Sequence, residues 1–272
     1  MDMSACNRIF EGSDHVEAHI ERAGKGQAVV YSACSPDKET GNEDAAAIFE
    51  VGAEQVVIAV ADGLGGLPGG DKASALALRA LRDSLNSAKD ESTPLREAIL
   101  AGFDRANQKV TTLGNGSATT LVVVEVDGHT VRSYHVGDSG VIAFGGRGKI
   151  KMETIAHSPV GYAVEAGVLT PHEAIEHEDR HIVSNVVGDP GMHVGMSSPV
   201  RLRPRDTVVL ASDGLFDNLH VHEIIEFLRR GPLLKGVKAI TAECNKRMTE
   251  HREGRPSKPD DVTLIAYRGG AS

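Results

Sequence analysis

The chain has 272 residues, of which 40% are hydrophobic and 25% are charged, and its 38 acidic and 29 basic residues give a formal net charge of −9. This length and composition support a single globular domain with one large core. The acidic balance and the lack of a long basic run argue against a protein that binds nucleic acid through its phosphates.

Cysteine usage and the N-terminal sequence bear on the compartment. Cys6, Cys34 and Cys244 are widely spaced and form no Cys-x-x-Cys pattern, so neither a disulfide framework nor a thiolate zinc site is indicated. Residues 1–21 lack the positive flank and apolar stretch of a signal peptide, and no run approaches 18 apolar residues. We therefore expect a soluble cytoplasmic protein in a reducing compartment, without a membrane partner.

The first third of the chain predicts strands followed by two helices. At residues 71–88 and 94–113, Ala, Leu, Ile and Val recur at three- and four-residue intervals, and Pro94 suits a first helical turn. The runs before them are short, partly β-branched and bounded by turn residues, which is typical of strands. These predicted strands are 28–34, 45–51 and 55–61.

The middle of the chain predicts further strands and an interruption. Alternating apolar residues on both sides of Asp127-Gly128 indicate a hairpin with this pair at the turn. Residues 158–195 break the pattern with short polar helices near 161–166 and 170–177, and we interpret this segment as a flap. The predicted strands here are 117–126, 129–136, 140–144 and 149–155.

The last third predicts strands and helices that complete an α+β fold. Strands grouped before helices, rather than alternating with them, favour antiparallel sheets covered by helices. We interpret residues 1–27 as an N-terminal extension and residues 28–272 as the domain. The predicted strands are 200–202, 207–211 and 262–267, and the predicted helices are 220–229 and 234–251.

Four acidic clusters each lie at one end of a predicted apolar strand. Carboxylates brought together from distant strand ends make an oxygen-only pocket, which suits hard divalent cations such as Mg²⁺ or Mn²⁺. A single Asp-Gly pair is typical of a turn without chemistry, but the repeated placement favours a metal site. The clusters are Asn42-Glu43-Asp44, Asp62-Gly63, Asp213-Gly214 and Asp260-Asp261, and Val136-Gly137-Asp138-Ser139 is a further instance.

The segment from Val56 to Gly66 runs from a strand into a glycine-rich turn before a helix. Pro68 weakens a dinucleotide-binding turn, which needs a third glycine, and the phosphate loop ending in Gly-Lys-Ser/Thr is absent. A metal site remains, in which Asp62 is a ligand and the glycines let carbonyls and waters approach the ion.

In this order and spacing, the motifs resemble those of the metal-dependent PPM, or type 2C, serine/threonine protein phosphatases, over about residues 28–268. Residues 157–188 also resemble the flap of bacterial members. The resemblance implies a four-layer α-β-β-α sandwich with two central antiparallel sheets. It further implies hydrolysis of phosphoserine and phosphothreonine in proteins, in opposition to a serine/threonine kinase. The motifs are Asn42-Glu43-Asp44, 60–66, Val136-Gly137-Asp138-Ser139, 210–215 and Asp260-Asp261-Val262-Thr263.

The resemblance also implies the main metal ligands. Asp62 bridges two Mn²⁺ or Mg²⁺ ions, Gly63 offers its backbone carbonyl to one of them, and Asp213 and Asp260 bind the other. Asp260 is preferred over Asp261 because the first residue of this pair is the family ligand. The two ions activate a shared water for direct attack on phosphorus.

Three further acids have implied supporting roles. Glu43 and Asp44 hold metal-bound waters or orient the ligands, and Asp138 matches a position that helps bacterial members to bind a weaker third metal ion. The expected partners are phosphorylated proteins and a cognate kinase, and we expect a monomer.

Two positions depart from the family pattern. Glu39 stands five residues before Asp44, where the family has a phosphate-binding arginine, and the adjacent Lys38 would supply only a point charge. Leu64 stands where many eukaryotic members have a histidine thought to protonate the leaving group. The sequence therefore assigns neither the residue that binds the substrate phosphate nor the general acid. The alternative function is that of a catalytically weak or silent family member, which binds phosphoproteins as a scaffold.

A different chemistry is suggested by His177-Glu178-Asp179-Arg180-His181, which matches the His-Glu-x-x-His pattern of zinc proteases. That pattern needs both histidines on one helical face. Its two central residues are charged where such a helix is usually buried, and no clear third ligand follows, although His193 is nearby. A solvated flap helix is the better interpretation.

Overall fold

The computed structural model of the protein describes residues 7–12, 15–36, 38–52, 54–64, 69–88, 93–114, 116–250, 252 and 254–270. Two antiparallel sheets pack face to face between layers of helices, which confirms the predicted α+β sandwich. Cys6 and the glycine pair Gly65-Gly66 lie outside the described residues.

The first sheet consists of seven strands. They are β1 (Asn7–Glu11), β4 (Asp44–Glu50), β5 (Gln55–Asp62), β6 (Leu121–Asp127), β7 (Thr130–Val136), β10 (Gly195–Met196) and β11 (Val200–Arg201). Their order is β1-β4-β5-β6-β7-β10, and β11 also pairs with β7. Asp127 lies at the β6–β7 hairpin, where Asp127 is paired with Thr130, so the hairpin predicted at this pair is present.

The second sheet consists of six strands. They are β2 (His15–Ala23), β3 (Gly26–Ala33), β8 (Gly140–Phe144), β9 (Ile150–Glu153), β12 (Thr207–Ala211) and β13 (Val262–Arg268). Their order is β2-β3-β13-β12-β8-β9. Residues 1–27, which we interpreted as an extension outside the domain, thus supply β1 to one edge of the first sheet and β2 to one edge of the second.

Helices cover the outer faces of both sheets. Two helices, α1 (Gly70–Ala88) and α2 (Leu95–Thr111), pack on the first sheet. Three others pack on the second sheet: α5 (Asp213–Phe216), α6 (Val221–Leu228) and α7 (Leu233–Thr249). The flap carries α3 (Pro159–Glu165), α4 (Pro171–Glu176) and a 3₁₀ helix, Glu178–His181.

Strand periodicity divides the apolar residues into separate cores. Along β4, Ala46 and Ile48 face the second sheet, whereas Ala45, Ala47 and Phe49 face α1 and α2. Successive side chains of a strand point to opposite faces, so a buried central strand is apolar throughout. Asp44 stands at the start of this strand on the same side as Ala46 and Ile48, which directs its carboxylate between the two sheets.

None of the helices in the described part of the chain is both long enough and apolar enough to cross a bilayer.

Candidate active site

Two of the predicted site residues are neighbours on adjacent strands of the first sheet. Asp44 begins β4 and Asp62 ends β5, and the two are direct partners in the antiparallel register. Opposed residues of an antiparallel pair project from the same face. The two carboxylates therefore lie side by side at the end of the sheet, where the β-ladder stops.

Asp44 is held by a residue of the second sheet. Ser212, which directly follows β12, donates its hydroxyl to Asp44 Oδ2 at 2.8 Å and accepts the Thr263 amide at 3.0 Å. Asp44 is 2% exposed, and its second oxygen, Oδ1, is buried without a hydrogen-bond partner in the described part of the chain. One lone-pair face of this carboxylate is thus left for another group.

Burial and like charge act together on the carboxylates around Asp62. The pKa of Asp62 is raised well above its usual value. Burial is the largest cause, followed by the charges of Asp44, Asp213, Asp138 and Asp260. Burial and neighbouring aspartates also raise the pKa of Asp44 and of Asp138 to about 8. The five aspartates come from distant parts of the sequence, and the fold brings them within electrostatic reach of one another.

Lys258 is the cation at the centre of the second group of carboxylates. Its Nζ lies 2.5 Å from Asp213 Oδ2, 2.8 Å from Asp217 Oδ2 and 3.1 Å from Asp260 Oδ2. Burial lowers the pKa of Lys258, but the three carboxylates outweigh burial and raise it well above its usual value. The ammonium therefore stays charged and offsets part of the repulsion among these acids.

Asp260 and Asp261 have different environments. Asp261 is 4% exposed, and its carboxylate accepts the amides of Ser35 and Glu43 at 2.9 and 2.7 Å and the Lys38 ammonium at 2.7 Å. The side chain of Asp260 is 36% exposed and lies beside Lys258. Asp261 is thus used in holding the backbone, whereas Asp260 is open toward the acidic cluster.

Glu43 and Gly63 are joined through their backbones. The Gly63 amide donates to the Glu43 carbonyl at 3.2 Å, and a Cβ at Gly63 would lie 2.2 Å from the Gly70 carbonyl oxygen. Only glycine fits this close approach of strand β5 to the start of α1. The Glu43 carboxylate pairs with Lys38 at 2.6 Å, while Glu39 is exposed.

Asn218 fixes the loop that carries Lys258 and Asp260. Its side-chain amide donates to the carbonyls of Gly214 and Lys258, both at 2.8 Å, and its Oδ1 accepts the Lys258 amide at 2.9 Å. Arg247 from α7 in turn donates to the Asn218 carbonyl at 2.9 Å. Asn218 therefore ties the C-terminal acidic pair to helix α5, which begins at Asp213.

Sequence reasoning missed three residues of this group: Asp217, Asn218 and Lys258. The spacing of Asp213 and Asp217 by four residues could have indicated that both lie on one helical face. No sequence signal joins Lys258 to residues more than 40 positions away. Its role depends on where the loop before β13 meets α5.

The His-Glu-x-x-His pattern does not form a zinc-protease helix. Helix α4 ends at Glu176, and His177 instead accepts the Asp179 amide at its Nδ1, at 3.1 Å, as the cap of the 3₁₀ helix. His181 Nδ1 contacts the Glu178 carbonyl at 2.8 Å. The two histidines thus do not lie on one α-helix, and the zinc hypothesis lacks the geometry that it requires.

Within the described ranges, no three acidic, histidine or cysteine side chains converge into a ready-made metal-binding group. Like-charged carboxylates repel one another, and here Asp213 and Asp260 both turn to the Lys258 ammonium. The oxygen donors are gathered in one place, but their present orientation follows the lysine.

Comparison with known proteins identifies the family. The sequence pattern of the protein phosphatase 2C family matches residues 37–245, and the chain belongs to this family. The chain is similar to protein phosphatase PhpP of Streptococcus pneumoniae, with 30% identity over 193 residues, which cover 69% of this chain and 78% of PhpP.

Solved structures of related proteins agree with the fold. The PPM Ser-Thr phosphatase MsPP of Mycobacterium smegmatis, crystallised with cacodylate, is 26% identical with a TM-score of 0.73, covering 89% of this chain and 98% of MsPP. The catalytic domain of the phosphatase PstP, in complex with two manganese ions, is 23% identical with a TM-score of 0.68, covering 90% of this chain and 98% of that domain.

Replacing the central lysine tests its role as counter-cation. We expect Lys258→Met to lower the free energy of unfolding in chelator by about 2 kcal/mol, because three partly buried carboxylates lose their shared partner. Urea denaturation measures this. Lys109→Met is the control, since its pair with Asp83 is 3.0 Å long but about 40% exposed and should contribute no more than about 0.5 kcal/mol. Equal losses in both variants would contradict the interpretation.

The raised carboxylate pKa values predict how stability depends on pH. Between pH 4 and about 8 the folded protein binds more protons than the unfolded chain at Asp138, so in chelator this group costs stability as pH rises. Asp138→Asn should remove about 2 kcal/mol of the stability loss between pH 6 and pH 8. Urea denaturation at both values measures it, with Asp127→Asn as control. An unchanged pH dependence would argue against this electrostatic origin.

Proposed function

We propose that the chain is a metal-dependent protein serine/threonine phosphatase that removes phosphate from phosphoserine and phosphothreonine side chains of proteins. The observation that carries this proposal is the group of aspartates that raise the pKa of Asp62, assembled from four other chain segments. Membership of the protein phosphatase 2C family and the similarity to PhpP support the same activity.

The donor set fits hard divalent cations. Every candidate ligand is a carboxylate or carbonyl oxygen. Asp44 Oδ1 is buried and has no hydrogen-bond partner among the described residues, and the chain at Gly63 leaves no room for a side chain. Mn²⁺ and Mg²⁺ prefer such oxygen ligands. We propose two ions, as in the manganese complex of PstP, held by Asp62, the Gly63 carbonyl, Asp213 and Asp260, with a third at Asp138.

The remaining site residues would orient a water molecule and hold the turn at Gly63. Bound divalent ions supply Lewis acidity and a water of lowered pKa for attack on phosphorus. Asp44, fixed by Ser212 through Oδ2, would use Oδ1 to accept a proton from a water beside Asp62. Glu43 would fix the Gly63 turn through its carbonyl. Because water attacks phosphorus directly, the reaction needs no phosphorylated side chain on the enzyme.

Lys38 is the residue that we propose to contact the substrate phosphate. Its ammonium lies between Glu43 and Asp261, at 2.6 and 2.7 Å, beside the acidic cluster. The carboxylates keep it charged, because although burial lowers the pKa of Lys38, both acids raise it above its usual value. Glu39, at the family's arginine position, is exposed and would not serve.

A scaffold without activity is the less favoured function. Such a protein would have little reason to bury mutually repelling carboxylates, because these cost stability unless a cation is bound. We further propose that the enzyme acts in the cytoplasm, as a monomer, against a serine/threonine kinase.

The proposed activity is tested with an aryl phosphate and a phosphothreonine peptide, each with Mn²⁺, with Mg²⁺ and with chelator. We expect metal-dependent turnover that falls at least about 100-fold in Asp62→Asn, because the central ligand is lost. Asp127→Asn is the matched control, since it has the same Asp-Gly sequence at a hairpin turn. No turnover by folded, metal-supplied protein would refute the enzyme and favour the scaffold.

A second variant tests the phosphate contact. Lys38→Met should raise KM for the phosphothreonine peptide about 10-fold, because one charge-assisted hydrogen bond to phosphate is lost. Steady-state kinetics measures KM and kcat separately. Lys25→Met is the control, because Lys25 is exposed and pairs with Glu54, which precedes β5 at the end of the strand opposite Asp62. An unchanged KM in Lys38→Met would exclude Lys38 as the phosphate contact.

A further inference from the structure

A cavity of about 1000 Å³ lies between the flap and the second sheet. Helices α3 and α4 of the flap form one wall, and β8, β9, α5 and α6 form the other. We call it the flap groove. Its volume is at the upper end of what small-molecule sites need, so it has room for several side chains of a polypeptide.

The flap groove is lined mainly by apolar side chains. Val160, Val164 and Ile175 lie on the flap wall, and Phe216, Val221 and Ile225 lie on the opposite wall. Ile150 and Ile155 also line the groove, are 40% and 39% exposed, and extend the apolar patch on the wall formed by the sheet. Covering this surface with an apolar group is favourable, because it removes apolar area from water.

One end of the groove is the candidate active site itself. Asp138, Asp213 and Asp217 belong both to its lining and to the acidic cluster. A phosphorylated side chain that reaches the cluster must bring its neighbouring residues to this mouth. The groove is therefore continuous with the proposed catalytic centre, which points to the substrate polypeptide as its occupant.

The charges along the groove favour a basic neighbour. Glu153 and Glu165 line it and are exposed. Among the described residues of the lining, Arg180 is the one arginine or lysine. It is directed away from both glutamates: it donates to the carbonyls of Ile175 and Ser257 and lies 3.9 Å from Asp217. Both glutamates are thus placed to attract Lys or Arg in a bound chain.

We propose that the flap groove binds the substrate residues next to the phosphorylated serine or threonine, and selects a bulky aliphatic or aromatic side chain together with a Lys or Arg. This proposal rests on the proposed phosphatase function. The apolar walls hold the bulky side chain, and the two glutamates pair with the base. An acidic flank is disfavoured by the same glutamates.

The test compares three phosphothreonine peptides with an aryl phosphate, which is too small to fill the groove. One peptide carries Leu and Arg within three residues of the phosphothreonine, one carries only Gly and Ser, and one carries Leu and Glu. We expect kcat/KM to be about 10-fold higher for the Leu–Arg peptide than for the Gly–Ser peptide.

Variants of both walls locate the preference. Val164→Asn on the flap and Val221→Asn on α6 should each reduce kcat/KM for the Leu–Arg peptide about 10-fold more than for the aryl phosphate. Val168→Asn is the control, because Val168 is on the same flap, 74% exposed, and outside the groove lining. Circular dichroism confirms that each variant is folded.

The outcomes separate this proposal from the function on which it rests. Aryl phosphate turnover with equal rates for the three peptides would overturn the groove proposal and leave the phosphatase intact. A preference that persists in both wall variants would also overturn it. Failure of every substrate would overturn the phosphatase function and the groove proposal with it.

Discussion

The rest of the site depends on one constraint: carboxylates that repel one another are held together by the ends of two apolar sheets. The strands cannot move apart without disrupting their packed cores, so the carboxylates cannot separate to reduce their repulsion. Asp44 and Asp62 are fixed by the register of β4 and β5, and Ser212 joins that pair to the second sheet. Two lysines, Lys38 and Lys258, supply the cations that reduce the repulsion.

This arrangement explains why the proposed metal ligands come from several elements of the fold. Each acid stands at a strand end or at the first turn of a helix, where the regular hydrogen bonding stops and side chains turn toward the gap between the sheets. Asn218 and Asp261 hold the backbone of neighbouring segments through amide and carbonyl contacts. The geometry is thus set by neutral or fully paired groups, which leaves the other carboxylates of the cluster for chemistry.

Apolar strands with clear ends could be predicted from the sequence, and the two strands Gly140–Phe144 and Thr207–Ala211 have the predicted bounds. Strand β2 was missed because its exposure is mixed: Ala18 is buried, whereas Ile20 is 49% exposed, as an edge strand allows. The acidic motifs could be found because each adjoins an apolar run. Lys258 and Asn218 could not, because their contacts depend on how a loop meets a helix distant in sequence.

The three strands that precede residue 37 have a consequence for any shortened form of the protein. The family pattern begins at residue 37, and a chain trimmed to it would lose β1, β2 and β3. Strands β4 and β13 would then become the open borders of the two sheets, each with a row of unpaired amides and carbonyls. Such borders recruit other chains into intermolecular ladders. We therefore expect the segment that precedes the family match to protect the molecule against self-association.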